Sequence, residues 1–380
     1  MNGDKTKKAK TYTSELNSGR PVRRTKIGGQ ALIEGLLMMG PERVAMCCRR
    51  ADGRIETEAL PLPKTDDIWA RLPVVRGSVR LFRQLKMGMK AIFKSAEYFE
   101  ADQTDQVKEA EKNTEDVDSA VSEAVEVKTP ETEVEPADVE TNEVEAAEIE
   151  TAGLVKESTE KSAKSSTMSS LQLGLTVALS MTIAVGLFIL LPNLVAGLIL
   201  GPRSAQQAWG MSFFYNLFEG LIRIVILLSY LGLTSLLPDL RRIWMYHGAE
   251  HKAIACYEHG DEMTAEAAAT YSRFHPRCGT SFLIQLIIIS VLVFAVVGWY
   301  GIWLNLLIRL LLLPLIAGLS YELLLWVGKH STTLPARIFA APGLLTQRLT
   351  TREPDREMLE VAVTALQAVL PDDPDADLWR

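Results

Sequence analysis

Cysteine and histidine are scarce in this 380-residue chain, with four of the first and five of the second. Two cysteines are adjacent, Cys47 and Cys48, and two stand alone, Cys256 and Cys278. That is too few for a secreted disulfide scaffold. No apolar stretch follows the opening MNGDKTKKAKTYT, so no cleaved secretory signal is expected. Thiols on the cytosolic side stay reduced and free to bind metal. Aromatic residues are also missing from the acidic stretch 100–168, centred on TPETEVEPADVETNEVEAAEIE. Such a segment has too little apolar surface to order itself and reads as a disordered, solvated linker.

The net charge of −7 averages three unlike regions. Residues 1–99 carry 20 Lys and Arg against 10 Asp and Glu, residues 100–164 carry 6 against 21, and the remainder 14 against 16. The remainder holds most of the apolar residues. Four of its runs, beginning near Leu171, Tyr215, Ser281 and Ile302, are long enough to cross a bilayer, which takes about 20 helical residues. The second and fourth contain Glu219, Arg223, Arg309 and Glu322, which should turn inward to partners. The 239–280 loop carries Arg241, Arg242, Lys252, Arg273 and Arg277, and the tail carries Lys329, Arg337 and Arg348. The intervening loops are nearly free of cations. The positive-inside rule therefore puts both termini and the 239–280 loop in the cytoplasm.

The fold class expected is a mainly α polytopic membrane protein with about four transmembrane helices. To these are added a small N-terminal β-hairpin, an amphipathic-helix region and the acidic linker. The organisation reads as a disordered N-terminus (1–19), a cytoplasmic or interfacial head (20–99) and the linker (100–168). A four-helix membrane domain (169–328) and a cytoplasmic helical tail (329–380) follow. Within the head, GGQALIEGLLMMGPE at 28–42 is too short and glycine-punctuated for a span and reads as an interfacial or re-entrant segment. RVAMCCRR and RIETEALP flank Ala51-Asp52-Gly53, a hairpin signal. Cys47 and Cys48 then point to opposite faces of a strand and do not share a metal. From Pro73, Val75, Val79, Phe82, Leu85, Met89 and Ile92 form one helical stripe and Arg76, Arg80, Arg83, Lys86, Lys90 and Lys94 another. This basic helix, 74–99, suits either an anionic leaflet or packing against the bundle with a solvated basic face.

YHGAEHKAIACYEHG, residues 246–260, holds three of the five histidines. Asp239 is the expected N-cap of a helix ending near Glu258, with Gly260 as its stop. On it His247 and His251 are one turn apart on one face, spaced to share a zinc ion, and Glu250 is placed to serve as general base. A short helical stretch, TAEAAATYSRF, leads to HPRCGTSF, where His275 and Cys278 offer two further ligands. Glu258 lies roughly on the ligand face, whereas Cys256 and His259 point elsewhere. His259 and His330 read as rings hydrogen-bonded to backbone or phosphate.

GGQALIEGLLMMGP, VVRGSVRLFRQLKMGMKAI, RRIWMYHGAEHKAIACYE, SRFHPRCGTSF and LTTREPDREMLEVAVTAL resemble the YqhQ-like family of bacterial membrane proteins. The resemblance covers about 20–99 and 169–370, with the acidic spacer as a variable insertion. That family is described as predicted metal-dependent enzymes, and the resemblance implies a bacterial cytoplasmic membrane without supplying a substrate.

Three readings compete. The first is a zinc-dependent hydrolase in which His247, His251 and one of His275 or Cys278 hold the metal and Glu250 takes a proton from water. The second is a non-enzymatic assembly or regulatory factor, with all four residues clamping a structural zinc. The third is a transporter built on the intramembrane charges, which four spans support only in a homo-oligomer. Membrane lipids are the expected partners, and nothing points to nucleic acid. Reporter fusions after Gly53, Gly260 and Leu349 should all report the cytoplasm, and one at Gln206 the opposite side. A far-side signal at Gly260 would contradict the orientation.

Overall fold

In the computed structural model, residues 23–62, 68, 72–125, 170–202, 209–297, 300–373 and 375–378 are described. The chain divides into two units, 1–108 with 187–380, and 109–186. The first holds a four-stranded antiparallel sheet in the order β1 (Gly28–Leu32), β2 (Gly35–Met39), β3 (Val44–Arg49) and β4 (Ile55–Leu60). Ten helices among the described residues follow. They are α1 (Val75–Val125), α2 (Ser170–Val185), α3 (Leu191–Leu200), α4 (Trp209–Thr234) and α5 (Pro238–Glu258). After them come α6 (Ala265–Ala269), α7 (Gly279–Val296), α8 (Ile302–Lys329), α9 (Leu334–Thr350) and α10 (Arg356–Ala368). A π turn at Gly186–Leu190 joins α2 to α3.

The segment 28–42 is one correction. It forms β1 and β2 of the sheet, joined by the two-residue turn Ile33-Glu34, where a re-entrant segment was one expectation. Its apolar run misleads because the sheet is covered on both faces, which removes the polar alternation of a half-exposed strand. Leu36 and Met38 pair with Cys47 and Ala45 and enter a core shared with α5 and α10. Leu37, Met46 and Cys48 enter a second core capped by Ala91 of α1. Cys47 and Cys48 thus do face opposite ways. The hairpin at 51–53 is present as the β3–β4 turn, with Gly53 at φ 84°, a conformation that favours glycine.

Four helices are long and apolar enough to cross a membrane: Ala178–Leu200, Gly210–Thr234, Gly279–Val296 and Trp303–Lys329. This is a membrane protein, and those helices imply lipid contact. Their charges turn inward as the sequence requires. Glu219 accepts from Arg309 at 2.5 and 2.8 Å and from Arg223 at 2.9 Å, and Arg223 Nε donates to the Phe188 carbonyl. Arg76 of α1 grips Glu322 of α8 through two 2.6 Å bonds. There Gly77 and Gly318 let the helices close: a Cβ on Gly77 would lie 2.9 Å from the Gly318 Cα.

Helix α1 runs on into the acidic stretch as far as Val125, and 126–169 lies outside the described residues, as does the 1–19 terminus. Along its first turns the protein-facing positions are small, Gly77, Gly88, Ala91 and Ser95, while Phe82, Leu85 and Phe93 are exposed. Helix α5 starts two residues earlier than expected: Leu237 is the N-cap, Pro238 takes the first helical position, and Asp239 sits in the first turn. Proline is favoured there because its missing N–H is unneeded, and the carboxylate suits the helix dipole.

The sheet, α5 and α10 share one core. The head, the 239–280 loop and the tail therefore lie on one side of the bundle. Gly248 makes the tightest of these contacts, since a Cβ there would fall 2.1 Å from the Arg352 carbonyl oxygen. Gly248→Ala should lower stability by about 1–3 kcal/mol. In thermal melts of the purified chain, Gly232→Ala, with no atom within 4 Å of the added Cβ, should leave the midpoint near wild type. Equal melts for both would contradict the packing described.

Candidate metal centre

The site lies where α5, the start of α7 and the end of α9 meet. Glu250, His251, Ala253 and their neighbours on α5 are buried on nearly every side, because the helix runs between the sheet, α10 and α6. The i, i+4 spacing stacks His247 over His251 with ring centroids 4.5 Å apart. Each ring is held by its Nδ1. His247 donates to the Thr350 carbonyl at 2.7 Å, and His251 donates to the Arg273 carbonyl at 2.6 Å. In a neutral ring each bond puts the proton on Nδ1 and leaves Nε2 available to a metal. Cys278, the N-cap of α7, brings its Sγ to 3.0 Å from His247 Nε2. It also accepts from the Thr280 N–H. His247, His251 and Cys278 have donor atoms that all lie within 4.8 Å of one another.

That set fits a metal. Zinc bond lengths separate tetrahedral nitrogen and sulfur donors by about 3.4–3.7 Å, within this spread. Two imidazoles and a thiolate form a borderline-to-soft donor set suited to zinc. Backbone carbonyls behind the rings are the outer partners that metal-bound histidines ordinarily have. Burial pushes the Cys278 thiol up, but the His247 and His251 rings outweigh it and hold the thiol well below its ordinary value. Burial works against protonation of His247, and the Cys278 thiolate overcomes it, raising His247 to about 9. Without a metal this is an imidazolium facing a thiolate, and a metal would take the place of the proton on His247 Nε2.

Glu250 lies beside the cluster without joining it. Its Oε1 accepts from the Gly29 N–H at 2.8 Å, and burial raises its carboxyl despite the nearby histidines. Gly29 has no room for a side chain. A Cβ would sit 2.6 Å from the Leu37 carbonyl oxygen and 3.1 Å from the Glu250 carboxyl carbon. No sequence signal marked Gly29, Thr350 or Arg273. The last two act through main-chain carbonyls, which leave no trace in residue type.

His275, another of the expected ligands, stands apart from these three. Its ring comes within 5.6 Å of His251 yet does not enter the three-donor set. Instead Nε2 faces the Glu258 carboxylate at 3.6 Å and Arg277 at 3.3 Å. Glu258 is itself buried and bonds Arg277 and the Thr25 N–H. Burial raises its carboxyl, but Arg277, His275 and Thr25 together bring it below its ordinary value. Burial, with Arg277 adjacent, keeps His275 below its own. Spacing offered His275 and Cys278 alike as candidate ligands, and here the His275 ring packs against Glu258 and Arg277. Cys256 donates to the Glu262 carbonyl. His259 and His330 bond the Ala255 and Trp326 carbonyls.

The family model DUF1385, described as a protein of unknown function, matches residues 72–372. The chain belongs to that family. It is 29 % identical over 351 residues to the uncharacterized protein YqhQ of Bacillus subtilis (strain 168), spanning 90 % of this chain and 92 % of that one. No solved structure matches. All three donors and Glu250 fall inside the DUF1385 match, whereas Gly29 and the sheet precede it.

Purified, full-length protein should carry close to one metal ion per chain by elemental analysis. His247→Ala, His251→Ala and Cys278→Ser should each reduce that to near zero, because two donors do not hold the ion. His275→Gln should leave it unchanged. Loss of metal in His275→Gln would return that ring to the ligand set.

Proposed function

We propose that this chain is a zinc-dependent hydrolase of the bacterial cytoplasmic membrane, with its site on the cytoplasmic side and a membrane protein or lipid-linked molecule as substrate. One observation carries the reading. Three donors converge, the fourth residue that would close a structural tetrahedron is bound elsewhere, and a carboxylate stands next to the cluster. Structural zinc sites are closed by four protein ligands, while catalytic ones hold three.

When bound, zinc would supply Lewis acidity, polarising an acyl or phosphoryl oxygen and acidifying water. The chain's own groups do the rest. His247 and His251 present Nε2, and Cys278 presents its thiolate. Glu250 Oε2 takes the proton that water gives up as its oxygen attacks, then returns it to the leaving group. The Gly29 N–H keeps Oε1 occupied and so aims the carboxylate. The metal-site side faces the cytoplasm in this reading because the cationic loop and tail lie there. The exposed apolar and basic positions of α1, including Phe82, Lys86 and Lys90, support contact with an anionic leaflet. We assign the head to 20–99, the membrane domain to 169–328 with its 239–280 loop, and a cytoplasmic tail to 329–380.

Glu250→Gln separates hydrolase from structural clamp, since it keeps shape and removes the base. Lipid and peptide profiles of cells lacking the protein should show a species that wild type clears. Glu250→Gln at full metal load should fail to clear it, by at least about 100-fold in rate. Metal content is measured on the same mutant, because an outer-sphere change alone weakens affinity by about 10–100-fold. Clearance at the wild-type rate would leave the metal a structural role.

A further inference from the structure

Helix α9 is patterned opposite to a helix that faces water. Its protein-facing positions, Ala336, Ala340, Gly343, Gln347 and Thr350, recur at helical spacing and are small or polar. Its outward positions are large and apolar: Leu334 is 70 % exposed, Ile338 61 % and Leu345 58 %, with Phe339 beside them. A contiguous apolar surface of this kind marks an interaction site on a soluble protein. On this one it adjoins the membrane-spanning helices. Gly343 brings α9 against α7, where a Cβ would fall 2.5 Å from Ser281 Oγ. Phe339 meets Trp326 of α8 edge-on at 6.2 Å, so the outward face continues the surface of α8.

Both ends of α9 lie on one side of the bundle. Only four residues separate it from the end of α8, and its last residue bonds His247 beside the N-terminus of α7. Gly328 near the end of α8 adjoins Arg277 just before α7. The helix therefore lies across one end of the bundle and does not run its length. Arg337 and Arg348 are exposed near its two ends, and neither is in an ion pair among the described residues.

We propose that α9 is an interfacial helix sunk in the leaflet on the metal-site side. Leu334, Ile338, Phe339 and Leu345 contact acyl chains, and Arg337 and Arg348 reach lipid phosphates. This revises the expectation that the tail after α8 is wholly outside the bilayer. The same helix holds the metal site through its inner face. The Thr350 carbonyl orients His247, and the Gln347 amide donates to the His275 carbonyl at 2.6 Å and its oxygen accepts the His275 N–H at 2.8 Å. A lipid-embedded element thus fixes one ring of the pair, and the cluster sits one helix-width from acyl chains. The inference does not depend on catalysis or on metal being bound.

All four native cysteines are buried, so an added surface cysteine is labelled selectively. Ile338→Cys and, separately, Leu345→Cys in the full-length chain are labelled with a nitrobenzoxadiazole dye and reconstituted in phosphatidylcholine–phosphatidylglycerol vesicles. The dye should lose most of its emission to lipids spin-labelled near the headgroup, less to lipids labelled near the chain end, and little to aqueous iodide. Glu357→Cys on α10, exposed away from the bundle, should show the reverse. Iodide quenching at both α9 positions, or no quenching by either agent because protein covers the face, would overturn the proposal. Thermal melting of each labelled protein reports whether the fold survived, and Leu345 decides if Ile338→Cys does not fold.

Discussion

His247 and His251 each give an Nδ1–H to a main-chain carbonyl, Thr350 and Arg273 respectively. The candidate centre depends on this pair of hydrogen bonds. Without them both rings are free to turn and to exchange tautomers, and the i, i+4 spacing only makes them neighbours. With them, both Nε2 atoms point inward to the Cys278 sulfur. The two carbonyls come from opposite ends of the loop-and-tail assembly, one just before α7 and one at the close of α9. The centre can therefore form only when α5, α7 and α9 are packed together. Folding of the membrane bundle and assembly of the site are then one event.

The bundle has its own polar lock. Glu219 is shared by Arg223 and Arg309 across α4 and α8, at side-chain exposures of 2, 11 and 12 %. Ionic groups inside a bilayer are tolerated when they pair and turn from lipid. Arg76 with Glu322 repeats the device where α1 meets α8. These pairs fix which helices adjoin. Since α1 also covers one face of the sheet, they indirectly set where Gly29 presents its N–H to Glu250.

Much of this was legible in the sequence, and the failures have physical causes. Run length and the cationic loop read directly as four spans, since hydrophobic thickness leaves few alternatives. The helix carrying His247, Glu250 and His251 was equally plain, because its spacing is local. GLLMM was misread because a strand buried on both faces has no alternation, and its partner strand and covering helices lie elsewhere in the chain. Spacing put His275 among the candidate ligands but could not show its contacts with Glu258 and Arg277, which are a matter of three-dimensional charge balance. Gly29 could not have been found from its own neighbourhood, since its role is defined by a carboxylate 221 residues away.

The account's central claim is a three-donor centre with Glu250 held just outside it. X-ray absorption at the metal edge of the full-length protein, purified without chelator, tests it most directly. The account predicts zinc with two imidazole nitrogens, one sulfur and one light-atom ligand that the protein does not supply, and the same shell in His275→Gln. A shell of three imidazoles and one sulfur, or protein without stoichiometric metal, would contradict it.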